Sequence, residues 1–160
     1  PIFLEWINRR YNTHLNEANL VEVKNFALVW NIFEGSICDS HFTISNFRQR
    51  LEQQTEEHEF NMTDFEPYMN YFRSRYITNN SINSRFTRLY IENRHWAEYA
   101  ERILLEDTPE INDIIMVLII IVYRLRNNLF HGRKEMPSIN HQADNFSNAN
   151  NFLMTLIDNF

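Results

Sequence analysis

Ten consecutive apolar residues run from Ile114 to Tyr123, and whatever that run becomes sets the fold of the chain. Its β-branched Ile and Val residues suit a buried strand. The flanks and the length point the other way. Asp107-Thr108-Pro109-Glu110 reads as a helix start, with Thr108 as the cap and Pro109 at the first helical position. Gly132 supplies a stop. The interval between them is longer than the ~4–8 residues of a typical buried strand. The spacing therefore predicts a helix from Pro109 to His131. Crossing a membrane takes about 20 apolar residues. A shorter run, apolar on every side, belongs at the centre of a core.

The rest of the chain reads as helices that cover this one. Leu20, Val23, Phe26, Ala27, Trp30 and Phe33 recur at intervals of three and four, with Gly35 as the stop. A weaker helical stretch spans Phe42 to Phe60. Thr63 or Asp64 caps a helix to about Tyr76, with Pro67 inside its first turn. Residues 78–84 form a polar loop. One long helix then carries Phe86, Leu89, Trp96, Ala100, Ile103 and Leu104 on one face, and a last helix opens at Pro137-Ser138. Two glycines and four prolines in 160 residues are too few for the turns of a sandwich or barrel. Neither Gly35 nor Gly132 has a glycine neighbour, which excludes a Gly-rich phosphate loop. The expected architecture is all-α: one domain over residues 1–160, a bundle of five or six helices with the apolar one in the middle.

Net charge is −6, which argues against a general nucleic-acid coat protein. The average hides local structure. From Arg48 to Glu66 two arginines face six acids, a balance of −4. From Pro67 to Arg94, Arg73, Arg75, Arg85, Arg88 and Arg94 stand against Glu92 alone, a balance of +4. Arg124, Arg126, Arg133 and Lys134 make a second basic segment with no acid. Such segments suit phosphate binding, or are solvated helix faces. Cys38 is the one cysteine, so a disulfide framework and a Cys-based zinc site are both excluded. His58, among Glu56, Glu57 and Glu59, reads as part of an acidic surface rather than a metal site. The opening Pro1 to Trp6 does not read as a signal peptide, and a cytoplasmic protein without membrane association is expected.

The chemistry-bearing stretch is Tyr123-Arg124-Leu125-Arg126-Asn127-Asn128-Leu129-Phe130-His131-Gly132-Arg133. A very apolar helix ends here in Arg, Asn and His, groups that are costly to bury without partners. Asn127 and His131 are four apart and share a helix face. Arg126 is offset from His131 by about 140° and must reach round the helix end to join it. A helix C-terminus favours a cationic His by about 0.3–1 kcal/mol, which suits a group that trades protons near neutral pH. An Arg fork beside it can neutralise phosphate oxygens. No metal and no cofactor are required.

These residues resemble the HEPN superfamily of helical-bundle "higher eukaryotes and prokaryotes nucleotide-binding" domains. The signature there is Arg, a following Asn or other polar residue, then His after a gap of four to six, at the end of a core helix. Here it reads Arg126-Asn127-Asn128-Leu129-Phe130-His131. Arg9 and His14 repeat the gap, but Arg10 follows and no apolar helix precedes them. The resemblance implies a metal-independent endoribonuclease acting on RNA, working as a homodimer whose two motifs face one cleft. It also implies a place in toxin–antitoxin or anti-phage systems, with an antitoxin or other defence protein as partner. Arg126, Asn127 and His131 are then catalytic. Arg124, Asn128, Arg133, Lys134 and, from an earlier helix, Glu34 are candidate RNA contacts. The alternative is a non-catalytic HEPN-like module in which the same residues bind nucleotide or brace an interface. Tyr71, Phe72, Tyr76 and Tyr90, near Arg73, Arg75 and Arg88, stack bases or belong to the core. His95, beside Trp96, is expected to be partly buried.

Overall fold

The structure, a computed structural model, describes residues 2–132 and 136–160. Arg133 and Lys134 lie outside the described residues. In chain order the elements are α1 (Ile2–Tyr11), α2 (Glu17–Ile37), α3 (Ile44–Glu57), α4 (Met62–Tyr76), β1 (Ile77–Thr78), β2 (Ser81–Ile82), α5 (Ser84–Thr87), α6 (Arg94–Leu105) and α7 (Ile111–Phe130). A 3-10 stretch (Met136–Gln142) and α8 (Ala143–Asn159) complete the described chain. The fold is all-α apart from the two short strands. Eight α-helices are present among the described residues rather than five or six. Six of them have twelve or more residues.

The apolar run forms α7, and every residue from Ile114 to Val122 is buried. Helices α3, α4 and α6 pack against it, while α8 lies along α2 and also touches α4. A helix satisfies its own backbone groups, so this segment needs no partner strand despite its β-branched side chains. Phe26, Phe33, Phe47, Phe65, Phe72, Phe146 and Phe152, all fully buried, fill the space around it. The α1 helix docks through a smaller cluster of Ile7, Leu15, Leu20 and Ile139. There Asn8 clamps Leu15 twice, Nδ2 donating to its carbonyl and Oδ1 accepting its N–H, both at 2.8 Å.

Several boundaries differ from the expected ones, each for a local reason. Pro109 is buried, so it seats in the core before the helix turns, and α7 starts two residues later with Glu110 as its cap. Gly35 lies inside α2 rather than ending it. The stop comes from Asp39 and Ser40 at φ 51° and 63°, with the Ser40 N–H returning to the Glu34 carbonyl at 3.0 Å. Asn61, not Thr63 or Asp64, caps α4. The polar loop carries a hairpin pairing Ile77 with Ile82. Asn79 and Asn80, at φ 53° and 59°, make its turn, since Asn tolerates the left-handed region a primed turn demands. The long helix expected over 86–104 is broken into α5 and α6, with Tyr90 at φ 54° between them. The last helix begins at Ala143 rather than Pro137, after the 3-10 stretch that buries Ile139.

Candidate functional site

The α7 helix ends as its sequence anticipates. His131 is the C-cap, and its N–H donates to the Asn127 carbonyl at 2.9 Å. Gly132 follows at φ +69°, the left-handed conformation that closes a helix. Around this end the polar side chains divide between three faces.

Arg124 and Asn128, one turn apart, point inward and are 7% and 3% exposed. Arg124 Nε donates to the Leu89 carbonyl at 3.0 Å and Asn128 Nδ2 to the same oxygen at 3.2 Å. Arg124 Nη2 reaches Asn128 Oδ1 at 3.4 Å. At the break between α5 and α6 the Leu89 carbonyl is thus turned to α7 instead of continuing a helix. The sequence offers both as RNA contacts or, equally, as dimer salt bridges, and either role needs an accessible side chain. Their burial and shared acceptor make them the bolt between α7 and the α5–α6 turn instead.

Arg126 occupies a second face. Its guanidinium lies 5.1 Å from the Phe130 ring centre and 5.9 Å from that of Trp30 on α2. Nη1 donates to Asn127 Oδ1 at 2.9 Å. Arg126 thus reaches its neighbour Asn127, and no hydrogen bond among the described residues joins it to His131. Its Nε and the Trp30 Nε1 are buried without a hydrogen-bond partner. An unmet buried donor costs about 1–3 kcal/mol, which an added acceptor would relieve.

The third face carries Asn127, 7% exposed, and His131, which is exposed. The three motif residues thus form a graded tip: Asn127 buried and fixed, Arg126 half-buried against aromatics, His131 in solvent. Trp30 and Phe130, the platform under Arg126, were missing from the expected site. Phe130 sits at the legible four-residue spacing from Arg126. Trp30 is brought in only by tertiary packing, where it also stacks on Tyr123 at 5.9 Å.

Glu34 lies one turn beyond Trp30 on α2 and is committed locally. Its Oε2 accepts the Phe42 N–H at 3.1 Å and its carbonyl takes the Cys38 and Ser40 N–H groups. It therefore braces the α2–α3 turn. Beside it, burial pushes the Cys38 thiol up to about 12, with the Glu34 carboxylate adding to the effect. His95 is exposed rather than partly buried, with its ring edge-on to Trp96 at 4.9 Å. Phe72 and Tyr76 belong to the core, Tyr71 is half-buried, and Tyr90 is exposed. Among the described residues, no group of three or more His, Cys, Asp or Glu side chains is placed to hold a metal ion. Nor is any helix there long and apolar enough to cross a membrane.

Comparison with protein-family models, with curated proteins and with solved structures finds no match to this chain.

Proposed function

We propose that the protein is a HEPN-like, metal-independent endoribonuclease, active as a homodimer. The observation that carries the reading is the tip of α7: one helix end carries both a solvent-exposed imidazole and an arginine that still has a buried donor unmet. In the reaction, the His131 imidazole takes the proton of a ribose 2′-hydroxyl, and the 2′-oxygen attacks the adjacent phosphorus. The bond from phosphorus to the 5′-oxygen breaks, and that oxygen is protonated by His131 of a second copy. The products are a 2′,3′-cyclic phosphate and a 5′-hydroxyl end. Arg126 neutralises the charge that develops on the phosphoryl oxygens, and Asn127 holds the guanidinium through its Oδ1. One chain supplies a single motif histidine, and acid–base cleavage uses two proton carriers, which is why the reading includes a dimer.

The test is RNA cleavage by purified protein in EDTA. His131→Ala is expected to reduce the rate by about 10²–10⁴-fold, as loss of a general base does. Arg126→Ala is expected to reduce it by about 10²–10³-fold. Cleavage by both variants at the wild-type rate overturns the assignment.

The second reading, a non-catalytic module, is favoured by one specific feature. Arg126 is packed between Trp30 and Phe130 and bonded to its own neighbour, as a structural arginine would be. A wild-type protein that cleaves no RNA but assembles, and loses assembly on Arg126→Ala, selects this reading.

A further inference from the structure

The basic segment 67–94 is not used by the site on α7, and its fold gathers it. Arg75 from the end of α4 and Arg85 and Arg88 from the region of α5 line one cleft of about 90 Å³. Leu89 and Leu125 form its apolar side, and Gln142 and Asn145 its amide side. The amide side is held in place: the Tyr71 hydroxyl donates to Asn145 Oδ1 at 2.6 Å, and Asn145 Nδ2 donates to Gln142 Oε1 at 2.7 Å.

All three arginines line this one cleft, and among the described residues none of the three is in an ion pair. Arg75 Nε is buried and has no hydrogen-bond partner. Asp144, adjacent to Asn145, is exposed and does not pair with them. Like charges gathered without a counter-ion repel one another, and a buried donor without an acceptor is costly. Arginine donors in a fork are matched to tetrahedral oxyanions. A volume of about 90 Å³ suits one such group. A phosphate monoester carries about −1.5 to −2 charges, against one for each backbone phosphate, so the monoester answers three arginines better.

From this we infer that the Arg75–Arg85–Arg88 cleft is a binding site for a single phosphate group, either free phosphate or the terminal phosphate of a nucleotide. The site is separate from the motif on α7 and does not rest on the ribonuclease reading. Leu89 nevertheless joins the two, since it lines the cleft while its carbonyl is held by Arg124 and Asn128.

The experiment measures binding of inorganic phosphate, adenosine 5′-monophosphate and adenosine to the full chain at constant ionic strength, by calorimetry and by the shift in Tm. Phosphate or the monophosphate is expected to bind and raise Tm, and adenosine is not. Equal affinity for the first two identifies the free anion as sufficient. Tighter binding of the monophosphate identifies a nucleotide. Arg85 and Arg88 are exposed, so Arg85→Gln with Arg88→Gln leaves the fold intact. That double variant is expected to bind at least about tenfold more weakly, the value of one lost charge-assisted hydrogen bond. Arg94→Gln, at an exposed arginine outside the cleft, is expected to bind as the wild type does. Absence of phosphate and monophosphate binding, or equal binding by the double variant, overturns the inference.

Discussion

Replacing Asn128 by Ala separates the two roles that neighbouring polar residues play at the end of α7. The side chain is 3% exposed, donates to the Leu89 carbonyl at 3.2 Å and accepts from Arg124 Nη2 at 3.4 Å. Each buried hydrogen bond lost in this way costs about 1–3 kcal/mol, more when one partner is charged. The Leu89 oxygen keeps Arg124 Nε at 3.0 Å and so is not orphaned, which holds the total down. The sum is a loss of roughly 2–4 kcal/mol. In a chain of this size each kcal/mol moves Tm by about 2–4 °C, so Tm is expected to fall by roughly 5–15 °C. Urea unfolding followed by circular dichroism should show the midpoint shifted and the slope unchanged. His131→Ala, three residues on and in solvent, should stay within about 0.5 kcal/mol of wild type. Equal stability of Asn128→Ala and wild type, or a His131→Ala as damaging as Asn128→Ala, would falsify the division into an inner bolt and an outer working face.

Two further outcomes follow from the same geometry. Cys38, ordinarily near 9.0, is pushed up to about 12 by burial and by Glu34, and burial also raises Tyr76 and Tyr99. The unfolded chain releases these protons first, so stability should be intact below about pH 9 and decline from there toward pH 12. Urea midpoints that stay level to pH 11 would contradict this, as would rapid reaction of the native thiol with a disulfide reagent at pH 8. Gly132→Ala meets no atom within 4 Å, so its only cost is the left-handed backbone. That cost is about 1–2 kcal/mol, read as a lowered thermal midpoint, and a neutral result would remove the capping role given to this glycine.

What the amino-acid order determined by itself is the local part: a run of apolar residues too uniform for any surface, its glycine stop, and an Arg, an Asn and a His at set positions on its last turn. Helical periodicity is a property of neighbours three and four apart, so it can be read without knowing what lies across the core. Capping was less legible because several Asn, Thr and Asp residues compete at each end, and the winner depends on which flank is buried, as Pro109 and Asn61 illustrate. Only the tertiary structure decided the rest. Leu89 and Asn128 are 39 positions apart, and their bond lies at a break in a helix that local pattern alone would continue. Trp30 reaches Arg126 across almost a hundred residues, and Arg75, Arg85 and Arg88 line one cleft because α4 and α5 fold back through a two-asparagine turn. Contacts of that separation are set by how helices pack, and packing is a property of the whole chain at once.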